Sequence, residues 1–150
     1  MKAEALGVRV CHLRTGIVLG ADGGALKKML LPFRAGVGGR MGSGRQWMSW
    51  VARADLVALI RWLVNHDNAR GAYNGTAPAP ATNAEFARAL GAALNRPALL
   101  PTPAFALRLL FGEMADILLT GQRVVPRRAT AEGFAFEYPE LPQALSAALA

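Results

Sequence analysis

Segments with a two-residue hydrophobic period alternate along this chain with segments whose apolar residues recur every three to four positions. That alternation constrains the fold more than any other feature. Val8 to Leu13 follows Gly7, alternates large apolar with polar residues and reads as a strand. Arg14 to Gly24, punctuated by Gly16, Gly20, Gly23 and Gly24, reads as a loop. Ala25 to Ala35 then carries Leu26, Met29, Leu30 and Phe33 at helical spacing, with Pro32 expected to bend or end the helix. The glycine-rich stretch Gly36 to Gly44 leads into Gln46 to Val51, an aromatic-rich short strand.

Leu56, Leu59, Ile60 and Leu63 predict a helix over Ala54 to Val64, with Asp55 in the first turn at the positive end of the helix dipole. Ala72 to Gly75 is strand-like. Pro78 and Pro80 break it, and Thr82 with Glu85 three residues on forms a capping-box pattern leading into Phe86, Leu90 and Leu94. Asn95-Arg96-Pro97 stops that helix. Beyond Pro101 and Pro103 an apolar helix with Phe105, Leu109 and Leu110 precedes Gly112 and a second helical stretch through Leu119. Pro126 can open a short helix, Gly133 to Phe136 alternates like an edge strand, and Leu141 to Leu149 is a terminal helix. Strands alternating with helices argue for an α/β fold, yet the strands are too few for a complete doubly wound sheet.

With 150 residues, 53% of them hydrophobic, the chain can bury one core. No uninterrupted apolar run reaches the roughly 18 residues a bilayer requires, so no membrane partner is expected. Met1 to Val10 carries Lys2, Glu4 and Arg9 and does not read as a signal peptide, which makes the cytoplasm the expected compartment. Cys11 is the only cysteine and, with only His12 and His66 as histidines, reads as core filler with no metal centre. The net charge of +7 invites an acidic partner. The arginines, however, are spread along the chain, Arg34, Arg40 and Arg45 in one glycine-rich stretch and Arg123, Arg127 and Arg128 in another, and this interleaving with glycine suits local phosphate or carboxylate contacts better than tracking along a nucleic acid. A helix-turn-helix reading of Thr82 to Arg96 also fails, because Pro97 ends the element where a recognition helix should follow.

The usual chemical fingerprints are missing. Gly36-Val37-Gly38 has Met41 where a dinucleotide-binding G-x-G-x-x-G needs its third glycine, and Lys27-Lys28 has no phosphate-loop context. Tyr73 has Ala77 four residues on and Tyr138 has Pro142, so neither has the lysine one helical turn later that would lower a catalytic tyrosine's pKa. Both tyrosines read as structural, and no catalytic residue is assigned.

Several strings in order nevertheless resemble one family. Arg14-Thr15-Gly16-Ile17-Val18-Leu19-Gly20, Gly23-Gly24-Ala25-Leu26, Pro32-Phe33 and Gly42-Ser43-Gly44-Arg45-Gln46-Trp47-Met48-Ser49-Trp50 resemble the extended short-chain dehydrogenases of the nucleoside-diphosphate-sugar epimerase type. Asn95-Arg96-Pro97, Pro103-Ala104-Phe105, Phe111-Gly112-Glu113-Met114-Ala115, Gln122-Arg123-Val124-Val125-Pro126 and Gly133-Phe134-Ala135-Phe136 look like that group's small carboxyl-terminal domain.

The resemblance implies the carboxyl-terminal part of an extended Rossmann-type enzyme: an incomplete parallel sheet over residues 1–97 and a small, mostly helical domain over 98–150. It implies NADP or NAD as cofactor of the complete protein, contacted here by Arg14, Thr15 and Gly16. It implies a small polar or nucleotide-sugar-like substrate met by Arg45, Gln46 and Trp47. Ala52 and Ala54 depart from the family's usual His and acidic residue, and its glycine fingerprint and Tyr/Lys pair would lie upstream of Met1. A chain of this kind is expected to be inactive alone and bind no cofactor tightly. It would work with an amino-terminal Rossmann half or as a homo-oligomer, in an oxidoreductase or isomerase reaction. The alternatives are a non-catalytic assembly module that docks on a separate Rossmann half, and, less favoured, a basic nucleic-acid-binding domain.

Overall fold

The computed structural model describes the backbone of residues 2–150 and the side chains of these except Lys2, Leu110, Phe111, Met114, Ile117 and Leu118. The expectations that fall on Met1 and on the Leu110 side chain therefore lie outside the described residues.

After a short helix α1 (Lys2–Ala5), β1 (Cys11–Thr15) and β2 (Ile17–Leu19) are followed by α2 (Gly24–Arg34), β3 (Trp47–Met48), β4 (Trp50–Ala52) and α3 (Arg53–Asn65). β5 (Gly71–Gly75), β6 (Ala81–Thr82) and α4 (Asn83–Ala93) complete the first two thirds. The remainder is helical: α5 (Ala104–Phe111), a 3-10 turn at Gly112–Met114, α6 (Ala115–Leu119), α7 (Arg127–Ala131) and α8 (Leu141–Leu149). The strands form three pairs. β1 runs parallel to β5 with Cys11 opposite Gly71 and Thr15 opposite Gly75, β2 runs parallel to β4, and β3 runs antiparallel to β6. The expected α/β class is thus what the chain adopts.

Two apolar clusters hold these pairs. The larger wraps Trp50 with Leu26, Leu30 and Phe33 of α2, Phe86 and Leu90 of α4, and Leu141 and Leu145 of α8. Trp50 is fully buried, and its indole N–H donates to the Ala79 carbonyl at 3.0 Å, so the large apolar ring is buried without an orphaned donor. The smaller cluster gathers Leu59, Leu63, Tyr73, Ala129 and Phe134, with Trp62 and Phe136 against its side. α4 begins as its sequence dictates: Thr82 Oγ1 accepts from the Glu85 amide, and the Glu85 carboxylate accepts from the Thr82 amide at 2.7 Å.

Several elements differ from the pattern-based expectation. The first strand spans Cys11–Thr15, starting three residues later than Val8, and takes in Arg14 and Thr15; Ile17–Leu19, expected within a loop, is a strand. The single strand over Gln46 to Val51 is two, interrupted at Ser49. Pro32 sits inside α2, which runs two residues further before it ends. No strand forms at Gly133 to Phe136, where the alternation reflects aromatic packing: Phe134 is buried and meets Phe136 edge to face, centroids 4.8 Å apart. β1 has a strand on one side only among the described residues. Along it opens a trough of about 590 Å³ lined by Cys11, His12, Leu13, Arg14 and Ala72. Arg9, Leu63 and Val64 border a second groove beside it with Ile60, and Ile60 and Val64 are exposed.

Candidate functional site

The carboxyl ends of β1 and β5, the end where open parallel sheets bind ligands, converge with the Trp47 to Ser49 strand break. Arg14 lies opposite Asn74 in the parallel register and Thr15 opposite Gly75, and both Arg14 and Thr15 are exposed at this end. Gly16 makes the crossing between the two parallel pairs. Its amide donates to the Gly75 carbonyl at 3.0 Å, and the next amide, that of Ile17, donates to the Ser49 carbonyl at 2.8 Å. A Cβ on Gly16 would collide with that same Ser49 oxygen and lie 2.9 Å from the Thr76 methyl. The glycine is therefore demanded by close passage of three backbone segments.

Gln46 and Trp47 are fixed by the loop before them. The Gln46 amide nitrogen donates to the Met41 carbonyl at 3.0 Å, and its backbone carbonyl accepts from the Asn83 amide at 2.8 Å. Asn83, 1% exposed, ties both ends of the loop: its Oδ1 accepts from the Met41 amide at 2.7 Å and its Nδ2 reaches the Met48 sulfur at 3.3 Å. Arg45 points outward, exposed. Of the six residues expected at a site, Gly16 and Trp47 are thus brought together through Ser49, Arg14 and Thr15 stand beside them at the strand ends, Gln46 braces its own loop, and Arg45 stands at the rim.

Four residues outside those six complete the arrangement. The Ser49 hydroxyl donates to the Gln122 carbonyl at 2.7 Å and accepts from the Val124 amide at 2.9 Å, and Asn74 Nδ2 donates to the Val125 carbonyl at 3.0 Å. Together they clip residues 121–125, from the helical lobe, across the strand ends. Arg123 lies over the Trp47 ring, its guanidinium carbon 5.3 Å from the centroid. Asn83 is the fourth, in the loop brace above. An asparagine inside a strand (Asn74) is the one sequence signal that could have marked this cluster.

Tyr73 is engaged elsewhere. Its hydroxyl donates to the Glu132 carboxylate at 2.6 Å, the Arg128 guanidinium stacks on its ring at 4.3 Å, and the Arg128 Nε donates to Glu132 at 2.7 Å while its NH1 donates to the Arg70 carbonyl. Burial first and the carboxylate second push the phenol above its ordinary pKa, so it remains a proton holder. The Tyr73 and Arg128 bonds hold Glu132 below the usual glutamate range.

Exposed Arg14 and Thr15 stand at the place an open sheet uses, and the Thr76 side chain is buried with its methyl against Gly16. The pyrophosphate cradle of a glycine-rich strand-to-helix turn is not present among the described residues, and the Gly16 space is filled by protein. No group of three or more metal-ligating side chains occurs among the described residues, and no helix of the structure is long and apolar enough to cross a membrane.

Parallel strand pairs joined by crossover helices, with their carboxyl ends capped by a helical lobe, define the second portion of a Rossmann-type extended dehydrogenase. Residues 102–148 match a family described as Domain of unknown function (DUF1731). The chain is 52% identical over 134 residues to the mouse epimerase family protein SDR39U1, covering 89% of this chain and 46% of that protein. It is 45% identical to the epimerase family protein MT2273 of Mycobacterium tuberculosis, covering 95% and 48%. Among solved structures, that of human epimerase family protein SDR39U1 (isoform 2) with NADPH superposes with a TM-score of 0.90 at 45% identity, covering 93% of this chain and 48% of that one. The nucleoside-diphosphate sugar epimerase of Corynebacterium glutamicum superposes with a TM-score of 0.76 at 27% identity, covering 98% and 27%. Over nearly its whole length the chain is thus similar to the carboxyl-terminal half of epimerase family proteins, their terminal domain included. It spans about half the length of the curated relatives it matches.

Proposed function

We propose that this chain is the substrate-side half of an NAD(P)-dependent, sugar-nucleotide epimerase-like oxidoreductase, inactive by itself and completed by an amino-terminal Rossmann half. In this reading residues 1–97 supply the last strands of the sheet and 98–150 the lobe that closes the cleft. Arg14, Thr15 and Gly16 flank the cofactor and Arg45, Gln46 and Trp47 the substrate. NADP or NAD, when bound by the complete protein, would supply the hydride; this chain's residues orient the substrate and exclude water from the strand ends.

The observation that carries the proposal is the open side of β1. An unpaired strand edge presents free N–H and C=O groups to a further strand, and among the described residues β1 pairs with β5 alone, with a trough of about 590 Å³ lined by Cys11, His12, Leu13, Arg14 and Ala72 along it. The share of the relatives' length left uncovered accounts for the partner, and human SDR39U1 in its NADPH-bound crystal supports the choice of cofactor.

The test is a titration of the purified chain with NADPH and NADP+, followed by tryptophan emission and repeated with a recombinant upstream half. Binding only after the half is added supports the proposal. Saturable binding by the chain alone overturns the claim that the missing fingerprint is needed. Stable assembly of the two halves without cofactor binding favours the second reading, a docking module without catalysis, which the same open strand supports.

A further inference from the structure

We propose that Arg123, held over Trp47 by the Ser49 clip, selects ligands that present a phosphate or carboxylate at the face of that indole. The inference rests on the reading of the strand ends as a substrate cleft and names the class of substrate that would enter it.

The arrangement is built from several directions. Residues 121–125 make no regular element of their own, yet the Ser49 hydroxyl bonds to the backbone on both sides of Arg123, at Gln122 and Val124, and Asn74 holds Val125. Gly121 passes so near Trp47 that a Cβ would collide with the Trp47 carbonyl oxygen, so only glycine allows the segment to lie this close. These constraints set the backbone of Arg123 and so the start of its side chain. The side chain lies over the Trp47 ring. Among the described residues the ion pairs join Arg53 to Asp22, Arg108 to Asp116 and Arg128 to Glu132, and no carboxylate pairs with Arg123.

A guanidinium carbon 5.3 Å from the indole centroid is within cation–π range, and the ring supplies no acceptor for its N–H groups, which keep the fork that matches two oxygens of a phosphate or carboxylate. The ring contact restricts part of the rotamer freedom that an exposed arginine loses on binding. Arg14, opposite Asn74 and so beside the clip, adds a second positive charge at the same end of the strands. A neutral sugar would leave that field unanswered; an acidic ligand answers it.

The experiment is a calorimetric titration of the chain at low salt with sodium pyrophosphate and, separately, with malonate, each variant being checked for an unchanged melting temperature. Saturable binding is expected. Arg123→Gln, which keeps a planar end but no charge, should weaken it at least about tenfold, and Arg123→Lys, which keeps charge without the fork, should weaken it too. Ser49→Ala should lose part of the affinity and Ser49→Thr, which retains the hydroxyl, should restore it, a rescue that a merely bulk-charge effect would not show. Arg61→Ala, on the exposed side of α3, should leave affinity unchanged.

Tighter pyrophosphate assigns the site to phosphate, and tighter malonate to carboxylate. No saturable response to either anion, or affinity that survives Arg123→Gln, overturns the inference. Cofactor binding by the reassembled halves with no dependence of anion affinity on Arg123 overturns this inference alone. Arg123-dependent anion binding without cofactor binding overturns the oxidoreductase reading alone.

Discussion

Replacing Asp55 by alanine removes a buried carboxylate that joins α3 to the far end of the chain. Asp55 is 2% exposed, and its two oxygens accept from the backbone amides of Glu137 at 2.8 Å and Tyr138 at 3.0 Å. A hydrogen bond to a charged group contributes about 1.5–3 kcal/mol, and amides left without an acceptor bear their own desolvation cost. Because both bonds share one carboxylate they are not independent, so the loss is set at about 3–5 kcal/mol, a large part of the total stability of an ordinary domain. For a chain of this size that corresponds to a fall in melting temperature of roughly 6–20 °C. Asp55→Asn keeps one acceptor and turns an NH2 toward the other amide, so its cost should fall between wild type and alanine. Thermal melts by circular dichroism give the magnitude, and hydrogen exchange at Glu137 and Tyr138 gives the location, since both amides should lose protection first. If Asp55→Ala costs less than about 1 kcal/mol and leaves those amides protected, the carboxylate serves only the helix dipole and the argument fails.

Thr82→Ala removes the side chain that begins the capping box and should lower stability by about 1 kcal/mol in denaturant titration, with α4 fraying at its start. Glu132 is held below the ordinary glutamate pKa, so its contribution is complete above about pH 4.3 and is lost as pH falls below that toward the depressed native value. Melting temperatures between pH 6 and pH 3 should fall less steeply in Glu132→Gln than in wild type, and parallel curves would contradict the assignment. Gly121→Ala should push residues 121–125 off Trp47 at a cost of about 1–3 kcal/mol, read as altered tryptophan emission and faster proteolysis of that segment.

What could be read in the sequence was what local forces decide. α2, α3 and α8 follow their hydrophobic period, and α4 starts where Thr82 and Glu85 say it must. What could not be read depends on residues distant in the chain. Ile17–Leu19 is a strand because Trp50–Ala52 lies alongside it, and the break at Ser49 exists because its hydroxyl and carbonyl serve residues 122–124 and Ile17. The alternating apolar residues of Gly133 to Phe136 imitate a strand while packing on the smaller aromatic cluster. Asp55 looks like a dipole residue in its own helix and is a tether to residues over 80 positions away. In the candidate site, the resemblance led to Gly16 and Trp47, but how Ser49, Asn74, Asn83 and Arg123 act together becomes visible only when the lobe is folded across the strand ends.

The pairing of β1 with β5 also sets a clock. Cys11 meets Gly71, a separation of 60 positions, and parallel partners that far apart cannot nucleate locally. At a synthesis rate of about 5–20 residues per second, β1 leaves the ribosome about 3–12 s before the strand it pairs with. During that interval both of its edges are bare, and after it one remains so. Productive folding is therefore a race between pairing and capture of a naked strand by another chain.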